Sequence, residues 1–211
     1  MDMEIKICGM KSLEAAKAAE EAGAGFLGFV FHAPSHRNVP PALAASICRE
    51  VKACKTVGVF VDEALDRVNE IARWCNFDYV QLHGHEDAAY ARRVERPVIK
   101  AFRWGDDFQA EAANKYPAEI ILLDSYSKHM AGGTGRSFAW QEAARAVKEL
   151  EKPLFIAGGI TAENAREAAD IFHPYGLDVS GSLEENGEKS PKKIRQFMEA
   201  AVRCQSSEGL S

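Results

Sequence analysis

The sequence lacks the features that would place it outside the ordinary globular class. No apolar run approaches the roughly 18 to 20 residues needed to cross a bilayer, and no block of lysines and arginines stands out. The net charge of −5 argues against a nucleic-acid surface. The opening MDMEIKICGM alternates acid and base and has no apolar core of the signal-peptide kind. Five cysteines (Cys8, Cys48, Cys54, Cys75, Cys204) are odd in number and include no CxxC pair. A complete intrachain disulfide framework is therefore excluded, a zinc cluster is disfavoured, and a reducing cytoplasm fits best. His32, His36, His85, His129 and His173 stand at no metal-ligand spacing, so no metal is expected. No Pro/Gly/Ser-rich linker or shift in composition divides the 211 residues, which read as one domain. A GxGxxG after the first strand is missing too, which weakens a doubly wound dinucleotide-type sheet.

What is present is a regular alternation. Apolar runs occur at EIKIC (4–8), FLGFVF (26–31), KTVGVFV (55–61), DYVQLH (78–83), PVIKAFRW (97–104), AEIILLD (118–124), PLFIAG (153–158) and GLDVS (176–180). Between them lie helical patterns such as SLEAAKAAEEAG (12–23), with Ser12 placed to cap its start and Gly23 its end. ALDRVNEIARWC (64–75), AWQEAARAVKEL (139–150), TAENAREAADIF (161–172) and SPKKIRQFMEAAV (190–202) behave alike. Eight strand–helix units at roughly 25 residues each predict a (β/α)8 TIM barrel. It is expected over residues 1–203, with 204–211 as a frayed tail. The 46% hydrophobic content supplies a sizeable core.

In such a barrel the chemistry sits at the C-terminal ends of the strands. Cys8 ends the first strand, His83 the fourth and Asp124 the sixth, while Asp178 and Ser180 lie near the end of the eighth. Side chains alternate in direction along a strand. Glu4, Lys6 and Cys8 should therefore face inward, as should Ile120, Leu122 and Asp124. Cys8 could be a small buried hydrophobe or a reactive thiol, with inward-facing Lys6 lowering its pKa. Asp124 is separated by some 14 residues from a helix expected near Phe138, so it is poorly placed to be a helix cap. For His83 the structural and catalytic readings are equally open.

Three Gly/Ser-rich segments follow late strands: GGTGRS (132–137), AGGIT (157–161) and SGS (180–182). Glycine lets backbone N–H groups approach an anion, and loops after strands 7 and 8 are the frequent phosphate site of these barrels. Simple turn-making is the plain alternative for any one of them. Converging on one side of the rim, they point to a phosphate cradle. Arg37, in HAPSHRNV (32–39) after the second strand, should lie opposite that cradle. It could hold a carboxylate by paired hydrogen bonds, or be a solvated loop residue.

Together these segments resemble the phosphoribosylanthranilate isomerase family of tryptophan biosynthesis. KICGM, GFVFHAPSHRNV, VGVFVDE, DYVQLHG, LLDS, GGTGRSFAW, FIAGGIT and GLDVSGSLE occur in that family's order from residue 5 to about 198. The resemblance implies a cofactor-free Amadori rearrangement, with Cys8 as general base and Asp124 as general acid. It implies that Arg37 binds the anthranilate carboxylate, that Asp178 holds a ribose hydroxyl, and that His83 contacts the substrate. The phosphate would sit on Gly133, Gly135, Gly158, Gly159, Ser180 and Gly181. The implied partner is a small phosphorylated aminoribose, with no nucleic acid or membrane, acting on a cytoplasmic monomer or homodimer. His36 stands where the family often has proline, and Ser180-Gly181-Ser182 replaces the usual Ser-Ser-Gly. Ala139 replaces an acidic or amide residue. The competing readings are another phosphate-binding barrel enzyme of histidine or tryptophan biosynthesis, or a barrel that binds a phosphate ligand without turning it over. A histidine-pathway isomerase would be expected to carry an acid at Cys8. Indoleglycerol-phosphate synthase usually has an N-terminal extension and catalytic lysines.

Overall fold

All eight apolar runs form strands, and each is followed by a helix. The computed structural model describes residues 3–105, 107–124 and 133–206, with the side chains of 133–139 and 202–206 outside the description. The strands are β1 Glu4–Cys8, β2 Phe26–Phe31, β3 Lys55–Phe60, β4 Tyr79–Leu82, β5 Val98–Arg103, β6 Ile120–Asp124, β7 Leu154–Ala157 and β8 Gly176–Val179. They pair in parallel, each with its neighbours in sequence, and β8 returns to β1 to close the barrel. The intervening helices are α1 Leu13–Glu21, α2 Pro41–Glu50, α3 Leu65–Cys75, α4 Ala88–Ala91, α5 Ala110–Lys115, α6 Gly133–Ala146, α7 Ala165–Phe172 and α8 Pro191–Ser206. This is the TIM barrel expected from the alternation.

Strands buried on both faces need apolar residues at successive positions, which is why FLGFVF is buried throughout. Alternate residues divide between two cores. Ile5, Ile7, Leu27 and Phe29 pack outward against the helices. Cys8, Phe26, Val30, Ile99, Ala101, Ile120, Leu122 and Phe155 fill the barrel interior. The inward count for Cys8, Ile120 and Leu122 is thus correct. Local signals fix the helices: Ser12 Oγ accepts from Ala15 N at 3.2 Å, and Asp87 caps α4 by accepting from Tyr90 N at 2.7 Å. Small Ala15, Ala16, Ala18 and Ala19 form the buried face of α1.

Two elements depart from the expected pattern. Helix α6 begins at Gly133, six residues before AWQEAARAVKEL. Glycine disfavours a helix interior by about 1 kcal/mol relative to alanine, so GGTGRS reads as loop from sequence, yet Gly133 and Gly135 stand in the first turn. The eighth unit also carries an unexpected β-hairpin, β9 Glu184–Glu185 and β10 Glu188–Lys189. Asn186 and Gly187, at φ 52° and 81°, form its turn, and the Asn-Gly dipeptide is the sequence signal for it. At the C-terminus α8 continues to Ser206, so its backbone includes the first three residues of the expected tail. Residues 207–211 lie outside the described residues.

A buried carboxylate ties the loops after β3 and β4 to strand β5. Glu86 accepts from Asp62 N at 2.8 Å, from Gly84 N at 3.0 Å and from Lys100 Nζ at 2.8 Å. Lys100 also donates to Gly84 O at 2.7 Å and lies 5.7 Å from the centroid of the Tyr116 ring. This ion pair, with side chains only 2% and 5% exposed, fixes the turn that follows His83. Glu86→Ala would strand the lysine charge and two backbone donors, an expected loss of about 3–5 kcal/mol in urea unfolding. Replacing Glu86 and Lys100 together with methionine should recover much of that loss. Equal losses in the single and double variants would contradict this account.

Candidate active site

A cavity of about 610 Å³ opens at the C-terminal ends of the strands, within the range of ordinary small-molecule sites. Its walls carry Cys8, Arg37, His83, Asp124, Asp178 and Ser180, together with Gly158, Gly159 and Gly181. The structure thus brings together nine of the eleven residues singled out from sequence. Gly133 and Gly135 lie in the first turn of α6, and the segment 125–132 preceding them is outside the described residues.

Beneath the cavity floor, Lys6 is wholly buried and donates to Asp178 Oδ1 at 3.0 Å across the β1–β8 pair. Cys8 is the next inward residue of β1. Gly28 on β2 leaves room for both: a Cβ there would stand 2.8 Å from Cys8 Sγ and 3.2 Å from Lys6 Nζ. The electrostatics correct one expectation. Burial pushes the Cys8 thiol up and outweighs the opposing pull of Lys6, while the Asp178 carboxylate also raises it. For Lys6, burial disfavours the charge, but Asp178 and Cys8 together more than offset this and hold the ammonium in place. Burial is the largest of the effects on Cys8, which therefore rests as a thiol.

Opposite β1, His83 and Asp124 approach each other, with His83 Nε2 3.8 Å from Asp124 Oδ2. Each side chain is about a quarter exposed, at 25% and 27%. The far ring nitrogen, Nδ1, lies 2.9 Å from Gln81 Nε2. Gln81 is an inward residue of β4 that the sequence reading passed over. It is 1% exposed.

The loops after β7 and β8 are built around backbone atoms. Gly158 and Gly159 adopt φ of 94° and 72°, a region that glycine enters without penalty. Asn164 braces this turn, accepting from Thr161 N at 2.8 Å and donating to Gly159 O at 2.9 Å. Ser182 Oγ donates to Ile160 O at 2.7 Å, joining the two loops, and Ser180 Oγ donates to Cys8 O at 2.9 Å. Both hydroxyls of the Ser180-Gly181-Ser182 segment therefore bind protein carbonyls. What remains at the start of the 3-10 turn Gly181–Leu183 is backbone N–H, and the first N–H groups of such a turn have no partner within it.

Arg37 does not lie opposite the loops after β7 and β8, as its place after the second strand suggested. Its stem crosses Gly9, where a Cβ would meet Cδ at 2.8 Å, and its Nη2 comes within 3.4 Å of a Cβ placed on Gly181. Strand β2 adjoins β1, which adjoins β8, so a long side chain spans the gap. Its partner is Glu184 of the hairpin: Arg37 Nε donates to Oε1 at 2.5 Å and Nη2 to Oε2 at 3.2 Å. Lys189 Nζ donates to Glu184 Oε1 at 2.8 Å and lies 3.4 Å from Ser180 Oγ. His36 Nε2 is 3.2 Å from Glu184 Oε2. Glu184 and Lys189 were not found from sequence because they lie beyond the last strand, although Asn186-Gly187 marks their hairpin. Among the described residues no group of three or more potential ligands could hold a metal ion. No described helix is long and apolar enough to cross a membrane.

Burial by itself would raise the Glu184 carboxyl, but Arg37, Lys189 and His36 bring it from 4.5 down to about 2. A carboxylate with a lowered folded pKa stabilises the protein fully above its unfolded value and loses that contribution as pH falls. The window here runs from about 4.5 down to about 2. Stability measured by urea unfolding should fall through this window in the wild type, and less steeply in Glu184→Gln. Parallel pH curves would show that Glu184 is not so paired.

A family model described as N-(5'-phosphoribosyl)anthranilate (PRA) isomerase matches residues 5–200. A curated N-(5'-phosphoribosyl)anthranilate isomerase of Geobacter metallireducens is 46% identical over 201 residues, covering 94% of this chain and 98% of that protein. One of Bacillus cereus strain Q1 is 40% identical over 203 residues, covering 96% and 99%. The crystal structure of phosphoribosyl anthranilate isomerase from Thermotoga maritima superposes with a TM-score of 0.85 at 33% identity, covering 95% of this chain and 99% of that one. A structure of such an isomerase in complex with reduced 1-(o-carboxyphenylamino)-1-deoxyribulose 5-phosphate gives 0.83 at 31% identity, with the same coverage. Alike in sequence over nearly its whole length and alike in fold, this chain belongs to the N-(5'-phosphoribosyl)anthranilate isomerase family.

Proposed function

We propose that the protein converts N-(5-phosphoribosyl)anthranilate to 1-(2-carboxyphenylamino)-1-deoxyribulose 5-phosphate, a step of tryptophan biosynthesis, with Cys8 as general base and Asp124 as general acid. The observation that carries the reading is the placement of Cys8 and Asp124 on β1 and β6, lining one cavity that also holds the Gly158, Gly159 and Gly181 turns. A cytoplasmic setting and a monomer or homodimer complete the proposal.

In the forward direction Asp124 gives its proton to the ribose ring oxygen as the C1'–O4' bond breaks. The anilino nitrogen lone pair forms the C=N bond of a Schiff base. Cys8, as the thiolate, then takes the proton from C2'; the C2'–H electrons become the C1'=C2' bond of an enolamine as the C=N π pair returns to the protonated nitrogen. Tautomerisation places a proton on C1' and leaves a ketone at C2'. The phosphate would lie on backbone N–H groups of the β7 and β8 loops, favoured by their exposed dipoles. Gly133 and Gly135, at the first turn of α6, would add to it. Ser180 would contribute through its backbone, since its hydroxyl is occupied by Cys8 O. Arg37 would meet the anthranilate carboxylate with the donors that Glu184 leaves open. Asp178, held by Lys6, would accept from a ribose hydroxyl, and His83 would contact the substrate beside Asp124.

A buried thiol is scarce as thiolate but strongly basic once formed, and the Lys6 ammonium, although paired with Asp178, still favours the anion. Cys8 must lose its proton while Asp124 keeps its own, so the pH dependence of kcat/KM belongs to the two groups together. The thiol is read by its own ultraviolet absorbance: the thiolate signal that Cys8→Ser removes should appear only beyond 9.0, the thiol's ordinary value. Thiolate already formed at neutrality would contradict a raised thiol.

The central test is depletion of fluorescent phosphoribosyl anthranilate generated in situ. Cys8→Ala and Asp124→Asn should each lower kcat by about a hundredfold or more, with binding of a reduced product analogue retained. Full activity in Cys8→Ala would retire the thiol as base. Loss of analogue binding in both variants would assign these residues to positioning. A wild-type protein that binds the analogue but consumes no substrate would be a binder only.

A further inference from the structure

Inside the barrel, Gln81 presents a buried polar group that the proposed chemistry does not use. Among the described residues its Oε1 has no hydrogen-bond partner, and it is shut away from solvent. In register on either side stand Val59 of β3 and Ile99 of β5, both apolar and both in the barrel interior. Burying a carbonyl oxygen unpaired is unfavourable, and glutamine at an interior position otherwise suited to leucine calls for a reason. The other end of the same amide supplies it: Nε2 lies 2.9 Å from His83 Nδ1.

An amide nitrogen can only donate, so Nδ1 of His83 must accept and the ring proton of neutral imidazole must sit on Nε2. Exchanging the amide's oxygen and nitrogen would leave an NH2 with two unpaired donors where a single carbonyl oxygen now stands, a worse burial. Nε2 is the atom that faces Asp124 Oδ2 at 3.8 Å. We infer that Gln81 is a positioning residue for Asp124, acting through His83 by fixing its Nε2–H tautomer. This rests on the reading of Asp124 as general acid.

The chemistry distinguishes the two tautomers. With the proton on Nδ1, the bare Nε2 lone pair would face the Asp124 carboxyl and could take its proton, leaving an imidazolium–carboxylate pair. The acid would then be spent before substrate arrives. With the proton on Nε2, that transfer has no acceptor, because the remaining lone pair, on Nδ1, is already bound by Gln81. Once Asp124 has protonated the ring oxygen, the same Nε2–H faces the new carboxylate and favours it. His83 thereby stays neutral through the cycle, and Asp124 keeps its proton until the ring oxygen takes it.

Three full-length proteins test this. Gln81→Leu removes the donor and also the unpaired oxygen. It should lower kcat roughly tenfold, short of losing a general acid outright, with KM little changed and Tm equal to or above the wild type. Gln81→Glu places an acceptor beside Nδ1 and demands a proton there, so its kcat should fall further than that of Gln81→Leu. Nitrogen-15 NMR of the histidine ring should give the Nε2–H form in the wild type and a protonated Nδ1 in Gln81→Glu. A side chain kept only for packing would lower Tm in Gln81→Leu and leave kcat of the folded protein unchanged, which would overturn the inference. An Nδ1–H form in the wild type would overturn it as well. The NMR result holds whatever the substrate is, whereas a wild-type protein that leaves phosphoribosyl anthranilate untouched sinks the functional reading instead.

Discussion

A lysine ammonium enclosed inside a barrel needs a countercharge, and the floor of this site follows from how that need is met. Lys6 and Asp178 are 172 residues apart in sequence and 3.0 Å apart in space, on strands that meet only because the sheet closes. Leaving either one alone would be strongly destabilising, by about 3–5 kcal/mol for a broken buried pair. The pair therefore welds the first strand to the last. It also fixes the setting of Cys8 one inward position above, whose thiol shares the small space that Gly28 leaves open. Closure, charge balance and the setting of the Cys8 thiol are parts of one arrangement.

The rim repeats this pattern with different groups. Glu184 gathers Arg37, Lys189 and His36 around one carboxylate, fastening the loop after β2 to the hairpin after β8. Glu86 gathers Lys100 and two backbone donors and holds the turns after β3 and β4. Each of these acids spends its charge on protein groups. Asp124 stands on the cavity wall about a quarter exposed, beside a histidine whose other nitrogen is engaged by Gln81. Carboxylates that hold the frame and the one proposed to move a proton are distinguished by what surrounds them.

Much of this was legible in the sequence wherever a local rule governs. Period-two alternation put Cys8 inside and Ile7 outside, and FLGFVF matched β2 residue for residue because a doubly buried strand admits little else. Ser12 capped its helix as its position implied. What failed depended on contacts far apart along the chain. Lys6 was expected to depress the Cys8 thiol, and that effect exists, but burial prevails and the Asp178 carboxylate adds to it. Arg37 was placed across the mouth by counting strands, whereas its length and the bare backbone of Gly9 let it reach the β8 side. The first turn of α6 was hidden by its glycines, and Gln81 looked like any polar residue in a strand.

The claim on which the account turns is that a group on β1 removes the C2' proton within the bound complex. Single-turnover kinetics with enzyme in excess, using phosphoribosyl anthranilate carrying deuterium at C2', isolates that step from product release. The account predicts that the loss of substrate fluorescence slows severalfold on deuteration, and that Cys8→Ser loses the fast phase for both isotopic forms. Undiminished and isotope-independent decay in Cys8→Ser would mean that the proton leaves by another route, and the role given to Cys8 would be wrong.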